Sequence, residues 1–457
     1  MKILSLRGGH YTTAISMLSV VLAIAALMTG MAGCGGDSSE IRTWYDLNAT
    51  RNNLNQNYIL MNDLDSTTAG YEELASPTAN GGNGWDPIGG PGVAGLFGRV
   101  FTGTFDGNGH KICDLFINRP DQKDIGLFGF FGQGVGLKGV IENLGLVNCT
   151  VTGGNYTGGL VGASYIANIV TNCYATGTVT GKNYTGGLMG FTVDGSFVSI
   201  SYFTGNVTGQ NRVGGLLGEN DGGTVINCYA TGTVTGTEYV GGMVGFTWGT
   251  LGECHSTLDV AGTHYIGGLA GFSWNGSSTV TNCYATGSVT GINSTGGLMG
   301  WSNGTVSSCW ATGSVTGNGS WVGGLVGSNY ASNVSNCYAT GNVTGNSSAG
   351  GLVGYNSGTV SNSYSTGSVA GNSSVGGLVG GNAGTVSNSF WDTQTSGQTA
   401  SDGGIGENTT QMKDIDTFSG AGWDIIAVAN SGVRNHSYIW NIVDDVTYPF
   451  LSWRPTG

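Results

Sequence analysis

The chain has 457 residues, of which 88 are glycine, 39% are hydrophobic and only 9% are charged, and its formal net charge is −13. So little charge beside so much apolar character excludes a disordered, solvated chain, although the glycine content alone would suggest one. Between residues 155 and 397 only Lys182 and Arg212 are basic. This excludes nucleic acid as a partner, because a phosphate backbone must be met by cations.

Residues 1–33 have the pattern of an export signal. Two basic residues precede an apolar run over residues 14–28, and the sequence Met-Ala-Gly-Cys then ends at Cys34. These four residues resemble a bacterial lipoprotein box, which implies cleavage before Cys34 and acylation of its thiol, with residues 34–41 as a short tether. An uncleaved membrane helix and plain secretion are the alternatives. All three place the rest of the chain outside the cytoplasm.

Residues 42–154 are predicted to form an N-terminal cap and the first coils of a repeat array. Two shortened copies of the pentapeptide described below, GLFG at 95–98 and at 126–129, lie in this region. Asp-Gly-Asn-Gly at 106–109 separates two strand-like runs and predicts a turn. The divergent region is expected to hide the open edge of the first coil.

One glycine-rich pentapeptide dominates residues 155–397, where its copies follow one another at an average spacing of about 27 residues. The nine copies are GGLVG 158–162, GGLMG 186–190, GGLLG 214–218, GGMVG 241–245, GGLAG 267–271, GGLMG 296–300, GGLVG 323–327, GGLVG 350–354 and GGLVG 376–380. Similarity at a fixed spacing indicates stacked units, because one unit of this size cannot bury its apolar side alone.

Two apolar positions recur along the array. The first holds Val179, Val207, Val234, Val260, Val289, Val315, Val343 and Val369. The second holds Leu160, Leu188, Leu216, Met243, Leu269, Leu298, Leu325, Leu352 and Leu378. An apolar residue at the same position of every copy is what a stacked core requires.

The repeats are predicted to be strands, because Thr, Val and Tyr are enriched and apolar residues alternate with small ones between glycines. The predicted fold is therefore all-β, a parallel β-helix or β-solenoid with about 27 residues per coil and divergent caps at both ends. A right-handed winding is expected from the usual hand of parallel crossovers. A β-propeller is the competing architecture, but its blades need about 40 residues.

A further position holds cysteine in six copies and serine in three. The cysteines are Cys173, Cys228, Cys254, Cys283, Cys309 and Cys337, and the serines are Ser201, Ser363 and Ser389. A position that accepts either residue needs a small filler, so buried free thiols are predicted, and disulfides are the alternative in an exported chain. No metal site is predicted, because no Cys-x-x-Cys or spaced His pattern occurs.

Residues 398–457 follow the last repeat and are predicted to form a C-terminal cap. This segment contains Trp423, Trp440, Phe450 and Trp453. Large apolar side chains of this kind suit a lid over the final coil, which would otherwise expose its core to water.

The pentapeptides, with FTGTFDGNGHKI at 101–112 before them and TYPFLSW at 447–453 after them, resemble the GLUG-repeat proteins. The resemblance covers residues 42–453. It implies a β-solenoid on extracellular bacterial or archaeal proteins, including adhesin-like chains, and it supplies no catalytic residues. Peptidase domains accompany these repeats in the family, but no HExxH motif occurs here.

Neither an enzyme nor a cofactor is predicted. His255 and His264 lie in one irregular repeat, where they are better explained as replacements of a tyrosine and of a turn residue than as a metal or acid–base site. Glu219 and Asp221 form an acidic pair, but the neighbouring repeats have no matching carboxylates. Sugar-cleaving β-helices gather such groups on adjacent coils.

A ring follows the cysteine position in every repeat. These residues are Tyr174, Tyr202, Tyr229, His255, Tyr284, Trp310, Tyr338, Tyr364 and Phe390. On a straight strand they point outward, opposite to Cys173, and their tyrosine and tryptophan members would form a stripe that contacts glycans. A bend beside Asn172 or Asn227 would instead turn the rings inward to close a corner of the coil, and both interpretations are open at this point.

The function predicted from these features is that of a non-catalytic cell-surface β-solenoid in adhesion, surface interaction or rigid display. An N-terminal lipid or anchor would tether it to the outer membrane or cell envelope, and its expected partners are extracellular glycans and matrix or cell-surface proteins. A polysaccharide-binding or polysaccharide-processing β-helix is the second candidate. Ice binding is the third, because Thr176, Thr178 and Thr180 place three hydroxyl groups on one strand face.

Overall fold

The structure of the protein is a computed structural model. It describes residues 38–90, 99–132, 139–165, 168–274 and 276–455. The predicted export signal with Cys34 and the shortened repeat at 95–98 lie outside the described residues. From Glu40 onward the described residues belong to one compact unit. No helix in the described ranges has the length and apolar character needed to cross a membrane.

The repeats form a parallel β-solenoid, as predicted. In the described ranges, four sheets run along the stack, and equivalent strands of successive coils pair in parallel, as Val161–Ser164 does with Met189–Val193. One of these sheets has nine strands, and each of its strands ends at a pentapeptide. Equivalent residues of neighbouring coils are paired at the repeat spacing, for example Val207 with Val234.

The first and second sheets each receive one strand per coil. The first consists of Ser39–Ile41, Tyr58–Leu60, Thr104–Asp106, Val140–Glu142, Ile169–Thr171, Phe197–Ser199, Thr224–Ile226, Thr250–Gly252, Thr279–Thr281, Thr305–Ser307, Asn333–Ser335, Thr359–Ser361 and Thr385–Ser387. The second consists of Phe128–Phe131, Val161–Ser164, Met189–Val193, Leu217–Asp221, Val244–Thr247, Ala270–Ser273, Met299–Ser302, Val326–Asn329, Val353–Asn356 and Val379–Asn382.

In the third sheet the strand of each coil is either continuous or divided in two. The fourth sheet has the fewest strands of the four. The third consists of Lys111–Cys113, Phe116–Asn118, Gly145–Thr152, Tyr174–Thr180, Tyr202–Thr208, Tyr229–Thr235, His255–Ser256, Asp259–Ala261, Tyr284–Ala285, Val289–Gly291, Trp310–Ala311, Val315–Gly317, Tyr338–Ala339, Val343–Thr344, Tyr364–Ser365, Val369–Ala370, Phe390–Asp392 and Ile405–Glu407. The fourth consists of Thr157–Gly158, Asn183–Gly186, Asn211–Gly214, Glu238–Gly241, His264–Gly267, Asn293–Gly296, Ser320–Gly323, Ser347–Gly350 and Ser373–Gly376.

Short helices and one small sheet occur at the two ends of the described chain. The α-helices are Trp44–Ala49, Tyr71–Leu74, Ala79–Gly82, Thr393–Ser396 and Ile415–Ser419, and the 3₁₀ helices are Thr50–Asn52 and Gln411–Lys413. The small sheet consists of Ile425–Ala427, Trp440–Ile442 and Phe450–Leu451.

The two predicted apolar positions line the core. All members of the valine and leucine series lie in one continuous hydrophobic cluster and are at most 4% exposed. The sheet pairing places each valine beside the valine of the next coil, as for Val289 and Val315. Stacking therefore buries the apolar side of each coil against its neighbours, which is the source of stability in such an array.

The paired glycines of the pentapeptide are required by close packing between coils. A Cβ atom on Gly268 would overlap the carbonyl oxygen of Gly297 in the next coil, and it would lie 2.9 Å from the Cβ atom of Ala285. Side chains cannot be accommodated here without moving the backbone, so glycine recurs because of space rather than because of a positive φ angle.

The N-terminal segment closes the first end of the core. Trp44 begins a helix with a capping box, in which the Thr43 side chain accepts a hydrogen bond from the Asp46 backbone N–H and the Asp46 carboxylate accepts one from Thr43. Trp44 packs against Trp85 with ring centroids 5.7 Å apart, and both side chains are fully buried. The predicted turn at 106–109 is present, but the strands on either side of it join different sheets, so it forms a corner of the solenoid.

The C-terminal segment differs from the predicted lid in what it covers. The strand Ile405–Glu407 pairs with Phe390–Asp392, so the chain just after the last repeat extends over the final coil. Residues 408–455 then lie along the outer side of the solenoid, where Trp440 contacts the rings of Tyr338 and Tyr364. The prediction of a lid over the final coil alone was too narrow, because these aromatic residues cover several coils from the side.

Candidate functional site

The rings that follow the cysteines point outward, on the opposite side of the strand from the core. Cys173 and Cys228 belong to the main hydrophobic core, whereas the neighbouring Tyr174 and Tyr229 are half-buried at the surface. The bend beside Asn172 does exist, with a φ angle of 51°. It lies one residue before the cysteine, however, so the cysteine and the following tyrosine still alternate between the inside and the outside.

These rings form one continuous column, which we call the tyrosine stack. Its members are Tyr174, Tyr202, Tyr229, His255, Tyr284, Trp310, Tyr338 and Tyr364, with neighbouring ring centroids 4.3–5.9 Å apart and ring planes within 10° of parallel. Parallel stacking at the coil spacing leaves each inner ring with a neighbour on both faces. The stack therefore presents ring edges to the outside, and it cannot offer the ring faces on which a sugar would lie.

The last three rings of the tyrosine stack, counted along the chain, are also covered by other residues. Trp310, Tyr338 and Tyr364 are 6%, 1% and 2% exposed and belong to a hydrophobic cluster with the C-terminal segment. The Tyr364 hydroxyl donates a hydrogen bond to the carbonyl oxygen of Pro449 at 2.6 Å. The predicted stripe of exposed rings is therefore wrong for these three residues, because the C-terminal segment packs against their outer side.

Tyr174, Tyr202, Tyr229 and Tyr284 are the predicted stripe residues that keep contact with solvent, each half-buried. Burial raises the pKa of Tyr174 and of Tyr229, so both phenols are neutral near pH 7. These residues offer a row of ring edges and hydroxyl groups at the coil spacing, which suits hydrogen bonding more than stacking.

The irregular repeat contains no assembled polar site. His255 is stacked between Tyr229 and Tyr284, so it replaces a tyrosine in the column as predicted. Within the described part of the chain, no three His, Cys, Asp or Glu residues are grouped so that they could hold a metal ion. Cys254 lies in the core on the opposite side of the strand.

The thiols at the cysteine position are free and buried, as predicted. Burial raises the pKa of the Cys173 thiol to about 12. The Cys173 Sγ–H donates to the carbonyl oxygen of Thr171 at 3.2 Å, and Ser201 donates to the carbonyl oxygen of Ser199 at the equivalent place. Serine and cysteine are interchangeable here because each is a small side chain that makes the same local hydrogen bond.

Thr231 and Thr233, which occupy the positions of Thr176 and Thr178 two coils further on, bond through their hydroxyls to the adjacent coil. The Thr231 hydroxyl donates to Thr204 at 3.1 Å, and the Thr233 hydroxyl donates to the side chain of Asn206 at 2.7 Å. These contacts engage part of the hydroxyl row within the protein surface itself.

A second aromatic surface, which the sequence analysis missed, covers the outside of the second sheet. Its first row consists of Tyr156, Tyr184, Tyr239, Tyr265 and Trp321, all with φ angles between 55° and 65°. Its second row consists of Phe130, Phe191, Phe246, Phe272, Trp301 and Tyr355, which occupy equivalent positions in the sheet. Rings of the two rows meet edge to face, as Tyr265 and Phe272 do at 5.1 Å and 86°.

The most exposed part of this surface is formed by Trp248, Trp274, Trp301 and Tyr330, which we call the tryptophan face. Trp248, Trp274 and Tyr330 are 40%, 53% and 53% exposed, and Trp301 is half-buried. The Trp301 ring centroid lies 5.8 Å from that of Trp274 and 5.4 Å from that of Tyr330. Large apolar side chains this exposed and this close together make this face a candidate interaction surface.

The tryptophan face differs from the tyrosine stack because its outer row is interrupted. This row is the position three residues after the pentapeptide in successive coils. Its members there are, in order, Asp221, Trp248, Trp274, Asn303, Tyr330 and Ser357. The outer rings therefore lack a continuous series of aromatic neighbours, and Trp274 and Tyr330 stay about half exposed although both stack on Trp301. A sequence signal for this surface was present, because aromatic residues recur one and three positions after the pentapeptides.

One coil replaces a ring pair of this surface by an ion pair. Arg212 occupies the tyrosine position and Glu219 the phenylalanine position, and their side chains form a salt bridge. The Arg212 guanidinium also lies over the rings of Tyr184 and Phe246, at 4.9 and 4.5 Å from their centroids. Burial raises the pKa of Glu219 to about 7, although the Arg212 charge opposes this shift.

Comparison with protein families identifies the repeats. The model of the GLUG motif matches residues 153–180, 209–235, 262–290, 318–344 and 345–370. These stretches lie within the pentapeptide array, so the resemblance predicted from the pentapeptides is confirmed.

Two curated relatives match part of the chain. Halomucin from Haloquadratum walsbyi is 35% identical over 149 residues, which cover 32% of this chain and 2% of halomucin. A protein named "Putative Gly-rich membrane protein" from Evansella cellulosilytica is 36% identical over 136 residues, which cover 29% of this chain and 14% of that protein. The matched region is thus a small part of both relatives.

Among solved structures, the crystal structure of a "putative immunoglobulin A1 protease" from Bacteroides ovatus aligns with 93% of this chain and 94% of its own chain. The sequence identity is 17% and the TM-score is 0.37. A similarity at this level carries no argument about fold or function.

Proposed function

We propose that this protein, whose repeats are GLUG motifs, is a non-catalytic surface-interaction protein that binds its partner through the tryptophan face. The GLUG repeats and the β-solenoid fold are those of a surface repeat protein. More specifically, its proposed role is adhesion to a glycan, a matrix protein or another cell surface. The observation that carries it is the exposure of Trp248, Trp274 and Tyr330 on one side of the solenoid.

Trp and Tyr supply much of the binding energy in protein interfaces, because a large rigid ring buries area at a low entropic cost. On the tryptophan face Trp301 projects from a paired strand of a packed sheet, and the other three rings directly follow strands of the same sheet. Such a surface needs little ordering before it binds. The near absence of Lys and Arg around it favours a partner that is recognised by stacking and hydrogen bonds.

The proposal is tested by probing an array of glycans and matrix proteins with the purified chain, and then with Trp274→Ala and Tyr330→Ala. Each substitution is expected to weaken retention by about tenfold or more, which corresponds to the loss of one interface anchor. Thermal melting should change little, because both side chains are half exposed.

Tyr45→Ala is the matched control, since Tyr45 is 50% exposed on the N-terminal cap, away from the tryptophan face. Equal loss of retention in the control and the test variants would contradict the proposed site. An array on which the unaltered chain binds nothing would instead support rigid display.

We further propose that the protein is held at the membrane through acylated Cys34. The export signal and the lipoprotein-like box motivate this proposal, and one relative is named as a membrane protein. Cys34→Ser should release the protein from the membrane fraction, measured by fractionation of expressing cells. Continued attachment of the variant would favour an uncleaved N-terminal helix.

A further inference from the structure

Every lysine and arginine after Arg212 lies in the C-terminal segment and lines a single cavity. These residues are Lys413, Arg434 and Arg454. The cavity has a volume of about 530 Å³ and lies between the C-terminal segment and the coils that carry Tyr338 and Tyr364. The three cations are about 20 residues apart in the sequence, so only the folded segment brings them together.

The three cations have no carboxylate partner among the described residues. None of them takes part in an ion pair there, and the residues lining the cavity include neither aspartate nor glutamate. Each cation lies over an aromatic ring: Lys413 over Tyr448 at 5.6 Å, Arg434 over Phe450 at 4.6 Å and Arg454 over Trp310 at 5.2 Å. Aromatic rings hold the cations in place but do not neutralise their charge.

Two of the cations lie side by side. The Arg434 Nε–H donates a hydrogen bond to the carbonyl oxygen of Arg454 at 3.0 Å. Burial lowers the pKa of Arg434, and the neighbouring Arg454 charge lowers it further. Two like charges held together in a chain of net charge −13 repel each other unless an anion lies between them.

The nearby carboxylate of Asp392 is already engaged. Its Oδ2 atom accepts hydrogen bonds from the Tyr448 and Thr409 hydroxyls, both at 2.7 Å. Its Oδ1 atom accepts hydrogen bonds from the backbone N–H groups of Gln394 and Thr395. It caps a helix and orients Tyr448, so it does not serve as the counter-ion of the cavity.

The cavity is also lined by hydroxyl groups. Tyr338 is 1% exposed, and its hydroxyl lies close to the Arg454 side chain. Burial raises the pKa of Tyr338, and the Arg454 charge offsets part of that effect. The hydroxyls of Thr340, Thr447 and Ser431 belong to the lining residues as well.

We infer that this cavity is a binding site for an acidic sugar, meaning a saccharide unit that bears a carboxylate or a sulfate. The guanidinium group of Arg454 and the ammonium group of Lys413 would bind the acidic group, as an arginine fork binds a planar anion. Arg434 would add its positive charge, because its guanidinium already donates hydrogen bonds to the carbonyl oxygens of Arg454, Ser431, Val433 and Pro455. The hydroxyl groups of the lining match the hydroxyls of a sugar ring. A volume of about 530 Å³ exceeds the needs of an inorganic anion and lies in the range of small-molecule sites.

The cavity is separate from the tryptophan face, which lies on a different sheet of the solenoid. Its failure would leave the proposed surface interaction untouched, and failure of the tryptophan face would leave the cavity untouched. The Trp274→Ala variant should therefore bind acidic sugars as the unaltered chain does.

The test is calorimetric titration of the full chain with three probes: methyl glucuronide, methyl glucoside and inorganic sulfate. Methyl glucuronide is expected to bind, methyl glucoside is expected to bind at least tenfold more weakly, and added salt should weaken the glucuronide. Sulfate that binds as tightly as the glucuronide would overturn the sugar part of the inference. Absence of binding by all three probes would overturn it entirely.

The variants are Lys413→Gln and Arg454→Gln, each expected to weaken glucuronide binding by about tenfold, as for the loss of one charged hydrogen bond. Lys182→Gln removes the same charge from the exposed Lys182–Asp121 pair on the solenoid and serves as the control. Melting curves of each variant confirm that the C-terminal segment is still folded. Unchanged affinity in both test variants would place the ligand elsewhere and contradict the inference.

Discussion

Arg212 and Glu219 show how one coil can replace a ring pair without disturbing its neighbours. In the adjacent coils an edge-to-face pair occupies the two positions, as Tyr239 and Phe246 do at 5.6 Å and 78°. The flat guanidinium of Arg212 lies against the rings above and below it, and Glu219 supplies the opposite charge. A planar cation fits this column where an ammonium group would not, because it stacks as a ring does.

The buried Glu219 predicts a pH dependence of stability. Its folded pKa is raised from 4.5 to about 7, because burial disfavours the ionised carboxylate more than the Arg212 charge favours it. Stability from this group is therefore fully present below about pH 4.5 and is lost as the pH rises towards 7. Thermal melting of Glu219→Gln should lack this decline, with a difference of up to about 3 kcal/mol from the unaltered chain.

Glu238→Gln is the control for the Glu219 experiment, because Glu238 lies on the next coil at a half-exposed position. Parallel melting profiles for the unaltered chain and Glu219→Gln between pH 4.5 and 7 would show that Arg212 keeps the carboxylate ionised instead.

At the scale of elements, the C-terminal segment and the tyrosine stack depend on each other. Trp440 is fully buried between Tyr338, Tyr364 and Trp423, and its indole N–H donates to the Asn336 side chain at 3.4 Å. The stack gives the segment an apolar surface to pack on, and the segment removes from water those rings that would otherwise form an exposed apolar patch.

Trp440→Ala is expected to loosen the C-terminal segment while the solenoid stays folded. Removal of a fully buried indole costs about 3–5 kcal/mol, and its contacts lie between the segment and the stack. Hydrogen exchange should therefore increase in residues 408–455 and change little in the strands of the central coils. Trp274→Ala is the matched control on an exposed tryptophan, and equal exchange in both variants would contradict the predicted dependence.

At the scale of the whole molecule, stability is distributed along the stack rather than placed in one centre. Each coil buries its valine and leucine rows mainly against the coils before and after it, as the pairing of Val260, Val289 and Val315 illustrates. In such an array the effect of a change spreads to its neighbours and fades with distance.

Val289→Asp should therefore unfold a group of coils rather than a single strand. An unpaired carboxylate in this core costs more than about 3 kcal/mol, since Val289 is 1% exposed. Hydrogen exchange should rise most in the coils of Val260 and Val315 and less with each further coil. Thr290→Asp is the control, because Thr290 is the next residue and lies exposed. A Val289→Asp variant that melts like the control would contradict the shared core.

Much of the architecture could be predicted from the sequence because each structural position occurs in every repeat, so its residue preference can be read from many copies. The valine and leucine rows, the cysteine position and the parallel stacking all depend on a residue meeting its own equivalent in the next coil. The outward direction of the rings beside Cys173 could not be decided in this way, since it depends on where the bend at Asn172 falls. The tryptophan face was missed although its residues recur near the pentapeptides, because the pattern is interrupted at Asn303.

The sequence by itself therefore determined the period, the strands and the core of this protein. Only the tertiary structure decided that residues 408–455 cover the last three rings of the tyrosine stack and that Lys413, Arg434 and Arg454 meet in one cavity. The physical reason is that these contacts occur once, between segments far apart in the chain. A contact made once leaves no periodic trace in a single sequence, whereas a contact made in every coil does.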